Sequence, residues 1–261
     1  MDPDLKGKVA IVTGSSRGIG KAIALGLVER GCRVVVTART AEQGKVPGTI
    51  HETAEGVRGL GGDVLPIRCD VTDEASVQEM VDAVLAQWGE IHILINNAGV
   101  GSYLPFLSTP VKVWDRIIAV NLRGTFLCTR AVLPHMVERR RGSILNITSF
   151  AANSVFSMTT PKEGGRTLIG IAYGLSKAGI ERLTVGLAAE VGKHNIAVNA
   201  IKPARPVLTE ALMTHLPGAN LQEWATPDAM VKAAVFLAAQ DASGVCGVVS
   251  SDEEVLLHHG L

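Results

Sequence analysis

Short apolar runs alternate with amphipathic stretches along the whole chain. The runs KVAIVTG, CRVVVTA, VLPIRCD, IHILINN, GSILNIT and IAVNAIK are rich in β-branched residues and apolar at nearly every position. Such runs are typical of strands that are buried on both faces of a parallel sheet. A last short run, GVVSS, predicts one further strand.

The stretches between these runs carry the periodicity of helices. Apolar residues recur on one helical face from Val77 to Trp88, which predicts an amphipathic helix there. Residue patterns predict further helices over Ile19–Glu29, Thr49–Leu60, Trp114–Met136 and Tyr173–Val191. A cap formed by Thr226 and Pro227 predicts the start of one more helix, Thr226–Gln240. Strands that alternate with crossover helices predict an α/β fold with a single Rossmann-type, doubly wound parallel sheet flanked by helices. No linker or repeat interrupts the pattern, so residues 1–261 are expected to form one domain.

Composition excludes several classes of partner. The chain has 25 Lys+Arg and 25 Asp+Glu residues, and this zero net charge argues against nucleic acid as the main partner. The sequence shows no apolar stretch that looks long enough to span a bilayer, and its first residues do not resemble a signal peptide. The four cysteines are scattered through apolar patterns, so we interpret them as small core residues of a cytoplasmic protein rather than as metal ligands or disulfides. No metal site is predicted.

A glycine-rich turn follows the first strand. The sequence VTGSSRGIG places Gly14, Gly18 and Gly20 between that strand and a helix. Glycines in this place allow a tight turn and the close approach of backbone to a pyrophosphate at the helix N-terminus. The spacing differs from the commoner Gly-x-Gly-x-x-Gly, and a glycine turn without a ligand remains an alternative.

The same turn also matches Gly-x-Ser-x-Gly, the nucleophile elbow of hydrolases. In such hydrolases several strands precede the elbow and supply an oxyanion donor. Here the turn follows the first strand, so the hydrolase interpretation is rejected.

Taken together, several short motifs carry a family resemblance. Thr13-Gly14-x-x-x-Gly18-Ile19-Gly20, Asn96-Asn97-Ala98-Gly99, Ser149 after a strand, Tyr173-x-x-x-Lys177 and Val198-Asn199-Ala200 occur in this order. The ordered set resembles the classical short-chain dehydrogenase/reductase family over nearly the whole chain. A weaker likeness points to a subgroup of hydroxysteroid-dehydrogenase-like and citronellol-type dehydrogenases.

The resemblance implies a catalytic set of Ser149, Tyr173, Lys177 and Asn121. Tyr173 would exchange a proton with the substrate oxygen, and because a phenol titrates near pH ~10 it needs help near neutrality. Lys177, one helical turn away, favours the phenolate and can hold ribose hydroxyls. Ser149 would bind the substrate oxygen, and Asn121 would hold a proton-relay water.

The resemblance also implies a coenzyme site. Its residues would be Gly14, Ser16, Arg17, Gly18, Ile19, Gly20, Arg39, Asp70, Val71, Asn97, Ala98, Gly99, Tyr173, Lys177, Pro203 and Thr209. The second strand ends at Ala38 where NAD-preferring proteins usually carry an acidic residue, and Arg17 and Arg39 suit a 2′-phosphate. We therefore expect NADP(H) rather than NAD(H), with a permissive NAD site beside a surface Arg39 as the alternative.

The chain departs from the family pattern in three places. The segment between Ser149 and Tyr173 is longer than usual, which predicts a substrate-binding loop or lid at about 150–170. An insertion that packs on a neighbouring subunit, and Ser154 or Ser157 as the active serine, are the alternatives. Pro203-Ala204 replaces the usual Pro-Gly, and the C-terminal sequence lacks the usual Val-Asp-Gly-Gly.

These features predict an NADP(H)-dependent oxidoreductase that interconverts a ketone or aldehyde and an alcohol by hydride transfer. A 3-oxoacyl-thioester reductase and a non-catalytic NADP(H)-binding sensor or scaffold are the alternatives. The resemblance implies a homotetramer or homodimer assembled through the two long helices.

Overall fold

Seven parallel strands form the centre of the structure. The computed structural model describes residues 5–102, 104–153, 170–210, 213 and 224–261. The strands are β1 (Val9–Thr13), β2 (Arg33–Ala38), β3 (Val64–Arg68), β4 (Ile93–Asn96), β5 (Gly142–Ile147), β6 (Ile196–Lys202) and β7 (Val249–Ser251). They form one sheet in the order β3-β2-β1-β4-β5-β6-β7, and each neighbouring pair is parallel. The predicted doubly wound parallel sheet is confirmed.

The helices connect these strands. They are α1 (Gly18–Glu29), α2 (Ile50–Gly59), α3 (Glu74–Trp88), α4 (Val111–Ile117), α5 (Gly124–Arg139), α6 (Ile171–Val191), α7 (Asp228–Ala238) and α8 (Asp252–His259). The sequence explains several ends: the Thr49 side chain caps α2 by accepting from Glu52 N, and Asp73 caps α3 by accepting from Ala75 N. Gly89, in the left-handed conformation, ends α3.

The two faces of the sheet bury separate apolar clusters. Along β1, Ala10 and Val12 belong to a cluster that includes residues of α1 and α7, whereas Val9 and Ile11 belong to a cluster with residues of α3 and α5. Successive side chains of a strand point to opposite faces, so helices cover both sides of the sheet. This arrangement explains why nearly every strand position is apolar.

The strand order reverses between β1 and β4. From β1 the chain builds outward through β2 and β3, and then returns to add β4 on the other side. In open α/β sheets a crevice forms at such a switch point, outside the carboxyl ends of the strands. The glycine turn after β1 and the Asn97-Ala98-Gly99 segment after β4 border this crevice.

One long helical run has an irregular centre. The predicted helix Trp114–Met136 extends over Val111–Arg139, with a π-helical segment at Ile118–Arg123 between α4 and α5. By length and composition alone this run could cross a membrane, which differs from the expectation that no stretch is long enough. Half of its apolar window is buried within the fold, as in the core helix of a globular protein.

The C-terminal helix α8 was not predicted from the sequence. The Ser251 side chain accepts from Glu254 N while the Glu254 side chain accepts from Ser251 N, which is a capping box. The Ser-x-x-Glu spacing was the signal for this helix in the sequence. The predicted last strand is present as β7, directly before it.

The predicted substrate loop at about 150–170 lies largely outside the described residues, and so do the alternative serines Ser154 and Ser157. Its first part is described: a 3₁₀ turn, Phe150–Ala152, follows β5. Its role stays a prediction.

Candidate active site

Tyr173 and Lys177 lie one turn apart near the start of α6. The Lys177 ammonium lies 5.7 Å from the centre of the Tyr173 ring. The Lys177 side chain is buried, with a relative exposure of 4%, and its Nζ donates a hydrogen bond to the backbone carbonyl of Ile147 at 2.7 Å. Burial lowers the pKa of Lys177 to about 8. The lysine is therefore still mostly protonated at neutral pH, and a cation this close favours a phenolate.

Ser149 follows the C-terminal end of β5. It has an extended backbone and begins the 3₁₀ turn, because its Oγ accepts a hydrogen bond from Ala151 N at 3.2 Å. A hydroxyl that accepts in this way still has its own hydrogen to donate. Thr148, the preceding residue, donates from Oγ1 to the carbonyl of Lys177 at 3.3 Å. The chain thereby fixes the serine segment against the helix that carries Tyr173.

Asn121 lies fully buried in the π-helical segment, a feature common at functional sites. Its Oδ1 accepts from Val100 N at 2.8 Å, and its Nδ2 donates to Val100 O at 2.9 Å and to Ser176 Oγ at 3.0 Å. The Ser176 hydroxyl in turn donates to the carbonyl of Tyr173 at 2.7 Å. The Asn121 side chain thus connects the segment after β4 to the first turns of α6, and its catalytic role stays a prediction.

Ser176 was missed by the sequence analysis. Its side chain is fully buried within α6 and joins Asn121 to the Tyr173 backbone. The only signal in the sequence was its place directly before Lys177. A buried hydroxyl needs a hydrogen-bond partner, and here the partners are Asn121 and the Tyr173 carbonyl.

The glycine turn has backbone conformations and close contacts that residues with a Cβ atom could not adopt without strain or steric clashes. Gly14 and Gly18 have left-handed backbones, with φ of 66° and 57°. A Cβ on Gly20 would lie 2.3 Å from Asn97 Nδ2 and 2.6 Å from Gly14 O. These positions therefore require glycine, as a cradle for a phosphate at a helix N-terminus does.

The two sides of the crevice are tied together. Asn97 Nδ2 donates to Thr13 O at 2.9 Å and to Gly14 O at 3.1 Å. Thr13 Oγ1 accepts from Asn97 N at 3.0 Å and from Ala98 N at 3.1 Å. The predicted coenzyme residues after β1 and β4 thus form one rigid unit.

The segment after β6 closes over this turn. Glu210 Oε2 accepts a hydrogen bond from Gly18 N at 2.9 Å, and a Cβ on Gly18 would lie 3.2 Å from Thr209 Cγ2. The structure therefore places the predicted residue Thr209 beside the glycine turn. It also places the Glu210 carboxylate, which the sequence analysis did not identify, where a helix N-terminus attracts an anion.

The two arginines predicted to select the coenzyme lie in the glycine turn after β1 and directly after β2. Arg17 Nη2 donates to the carbonyl of Gly48 at 2.8 Å. Arg39 Nη1 lies 3.8 Å from Asp70 Oδ2. Partial burial of Asp70 raises its pKa, but hydrogen bonds from Thr72 and the charge of Arg39 outweigh this effect, so the pKa is lowered overall. The carboxylate therefore stays charged and attracts Arg39.

Other predicted coenzyme residues lie after the carboxyl ends of the strands or at the start of α1. A Cβ on Gly99 would lie 3.5 Å from Asn121 Oδ1 and 3.6 Å from Lys177 Nζ, which places Gly99 beside these two predicted catalytic residues. Val71 follows β3 and packs against Gly124 of α5. Ser16 lies in the turn after β1, Ile19 lies in the first turn of α1, and Pro203 directly follows β6.

The two departures from the family pattern near the C-terminus meet in space. Ala204 N donates to Asp252 Oδ1 at 2.7 Å, and Arg205 Nε donates to Glu253 Oε1 at 2.9 Å. Pro203-Ala204 and the unusual C-terminal sequence therefore form one connected feature, in which α8 holds the segment after β6.

Comparison with known proteins settles the family. A family model described as short chain dehydrogenase matches residues 8–218. The chain belongs to the short-chain dehydrogenase family. It is 38% identical to D-threitol dehydrogenase of Mycolicibacterium smegmatis over 93% of this chain and 90% of that protein. It is 32% identical to the 3-oxoacyl-(acyl-carrier-protein) reductase FabG of Thermotoga maritima, over 94% and 96% of the two chains.

Solved structures of short-chain dehydrogenases agree with this fold. A putative dehydrogenase from Xanthomonas campestris superposes with a TM-score of 0.85 at 36% identity, over 98% of this chain and 91% of that one.

The hydroxysteroid dehydrogenase-like protein 2 of Danio rerio is 32% identical over 98% of this chain, but the chain spans only 60% of that relative's length.

The crevice of this short-chain dehydrogenase fits a nicotinamide coenzyme. The turn after β1 contains glycines with left-handed backbones, Arg17 lies in that turn, Arg39 follows β2, and Lys177 lies beside Gly99. Among the described residues there is no cluster of His, Cys, Asp or Glu that could hold a metal ion.

Proposed function

We propose that this short-chain dehydrogenase interconverts a ketone or aldehyde and an alcohol with NADP(H) as its coenzyme. The observation that carries the proposal is the Tyr173–Lys177 pair, in which a buried ammonium lies 5.7 Å from the phenol ring. Burying a charge costs free energy, so an ammonium held in a crevice beside a titratable phenol is a mark of a catalytic site.

The residues of the chain handle the proton in this proposal. A bound nicotinamide supplies the hydride to the carbonyl carbon, or accepts it in the reverse direction. Tyr173 gives its phenolic proton to the carbonyl oxygen as that oxygen gains negative charge. Ser149 donates a hydrogen bond to the same oxygen. Lys177 stabilises the phenolate that Tyr173 leaves behind.

The proposed preference for NADP(H) rests on the positive charge of Arg17 in the glycine turn and of Arg39 after β2. Arg39 is about half-exposed, Arg17 is held by Gly48, and β2 ends at Ala38 rather than at an acidic residue. Guanidinium groups bind phosphate oxygens well, and Ala38 has no carboxylate to accept from a ribose hydroxyl. Asp70 partly neutralises Arg39, so the preference depends on both arginines.

The test follows NADPH oxidation at 340 nm against a panel of ketones and aldehydes, with NADH in parallel, for the wild type and Tyr173→Phe. We expect turnover that is faster with NADPH and lost in Tyr173→Phe. NADPH binding without turnover of any carbonyl would favour a sensor or scaffold. Faster turnover with NADH would remove the coenzyme preference from the proposal.

A second candidate is the reduction of 3-oxoacyl thioesters. The name of the Thermotoga maritima relative supports it, whereas the name of the Mycolicibacterium smegmatis relative supports a sugar alcohol as substrate. Acetoacetyl-CoA and D-threitol in the substrate panel distinguish these classes, because only one of them should be turned over at low concentration.

The proposal includes a cytoplasmic homotetramer or homodimer. Exposed apolar side chains support assembly through the long helices: Phe126 on α5 and Leu175 and Val185 on α6 are each between 45% and 48% exposed. Light scattering of the wild type and Phe126→Glu tests this part, because a charge in an apolar interface should dissociate the assembly.

A further inference from the structure

A mostly buried ion pair, Lys202–Glu181, contacts both ends of the segment 148–153, which contains Ser149. Lys202 ends β6, in which the six preceding residues are buried. Its Nζ lies 3.2 Å from Glu181 Oε1 and 3.2 Å from Asn153 Oδ1. The two charged side chains are only 14% and 15% exposed. No sequence pattern pointed to either residue.

The Glu181 carboxylate holds the residue before Ser149. Glu181 lies one helical turn after Lys177, on the same face of α6. Its Oε1 accepts a hydrogen bond from Thr148 Oγ1 at 3.2 Å, and this hydroxyl also reaches the Lys177 carbonyl. The hydroxyl has a single hydrogen, which the Glu181 carboxylate and the Lys177 carbonyl share, so this one donor fixes Thr148 to α6.

The Lys202 ammonium holds the other end of the turn that Ser149 begins. Ser149 caps the 3₁₀ turn Phe150–Ala152, and Asn153 ends it. Since Lys202 donates to the Asn153 side chain, the ion pair fixes the chain on both sides of Ser149. The backbone of Thr148 is also paired with β6, because its N–H donates to Ile201 O at 2.8 Å.

We propose that Lys202 and Glu181 are positioning residues that set the place of the Ser149 hydroxyl relative to Tyr173. This inference rests on the proposed function, because it assigns Ser149 the role of binding the substrate oxygen. The pair connects the segment after β5, the helix α6 and the end of β6, through Thr148, Asn153 and Lys202 itself. Lys202 directly precedes Pro203, one of the predicted coenzyme residues. A buried ion pair often contributes little net stability, so a role in geometry explains why the two charges are kept here.

The test compares Lys202→Met with Lys202→Arg. We expect Lys202→Met to lower kcat by about 10- to 100-fold, because small displacements of a catalytic group have effects of this size. The dissociation constant of NADPH, measured by fluorescence titration, should change less than about twofold, because the described hydrogen bonds of Lys202 and Glu181 involve neither the glycine turn nor Arg17 and Arg39. Lys202→Arg keeps the charge and should restore most of kcat.

Two further variants separate positioning from stability. Arg205→Met is the matched control: it removes an ion pair with Glu253 in the same segment, but one that is exposed, and kcat should stay unchanged. In Glu181→Leu/Lys202→Met both charges are absent. Its thermal midpoint should recover relative to Lys202→Met, because no charge is left unpaired, while its kcat stays low.

The inference is overturned if kcat recovers together with stability in the double variant, or if Lys202→Met keeps wild-type kcat. Failure of the proposed function looks different, because then the wild type itself reduces no carbonyl compound. The double variant is informative even if Lys202→Met folds poorly, since its charges are balanced.

Discussion

The carboxylate of Glu210 accepts a hydrogen bond from the backbone N–H of Gly18 at the first residue of α1. The preceding residue, Arg17, caps this helix without a side-chain hydrogen bond. Glu210 therefore places a negative charge at the helix N-terminus, where a coenzyme pyrophosphate is expected to bind. A coenzyme bound there would bring further negative charge to the same place.

We predict that Glu210→Gln binds NADPH more tightly than the wild type. Removing the carboxylate removes its repulsion of the pyrophosphate, and an effect of about 0.3–1 kcal/mol, or roughly two- to fivefold in affinity, is typical of one charge at a helix terminus. Fluorescence titration at low and high salt measures it, and the gain should shrink with salt. Glu253→Gln on α8 is the control. Weaker binding in Glu210→Gln would show that the carboxylate helps to hold the site.

A second prediction concerns coenzyme choice. Arg39→Leu should raise the KM for NADPH by about tenfold and leave that for NADH nearly unchanged, since a charge-assisted hydrogen bond contributes about 1.5–3 kcal/mol, less at an exposed site. Steady-state kinetics with both coenzymes measures the ratio of kcat/KM values. Arg58→Leu, an exposed arginine on α2, is the control. An equal rise for both coenzymes would mean that Arg39 does not contact a 2′-phosphate.

The sequence was sufficient to predict elements whose cause is local. Unbroken apolar runs predicted the strands because both faces of the sheet are covered by helices. Tyr173 and Lys177 were predicted to share a helical face because their spacing is one turn, and they do. The capping box of Ser251 and Glu254 is an equally local signal, and it accounts for α8, which was not predicted.

The contacts that the sequence could not predict join distant parts of the chain. Glu210 meets Gly18 across 192 positions, and Ala204 meets Asp252 across 48. Such pairs depend on how the segment after β6 folds back over the sheet, and no periodicity encodes that path. Lys202 gave only an indirect signal, as a charged residue at the end of a buried strand.

A third prediction uses the glycines as a matched pair. Gly20→Ala should lower the free energy of unfolding by about 1–3 kcal/mol, because its Cβ would lie 2.3 Å from Asn97 Nδ2, and overpacking costs this much. Gly59→Ala, at the end of α2 with nothing within 4 Å of its Cβ, should stabilise the protein by up to about 1 kcal/mol. Urea unfolding measures both. NADPH affinity should fall only in Gly20→Ala, and a stable Gly20→Ala with full affinity would contradict the tight-turn interpretation.

The last prediction concerns acid stability. His92 Nδ1 accepts a hydrogen bond from Val9 N at 3.1 Å, and His135 Nε2 accepts from Ile91 N at 3.2 Å. Each of these ring nitrogens can accept a hydrogen bond only when it carries no proton. Burial lowers the pKa of each histidine below its ordinary value of 6.5, although Glu90 raises both.

The sign of the pH effect follows from these shifts. Below pH 6.5 these two histidines are protonated in the unfolded chain but remain largely neutral in the folded protein, because their folded pKa values are lower. The free energy of unfolding therefore falls as the pH decreases below that value. Urea unfolding between pH 7.5 and 5, an illustrative range of about one to two units around that pKa, measures the loss. In His92→Asn/His135→Gln the amide oxygens can accept the same hydrogen bonds without titrating, so the curve should be flatter. His51→Gln, an exposed histidine on α2, should keep the wild-type slope. An unchanged slope in the double variant would assign the acid sensitivity to carboxylates instead.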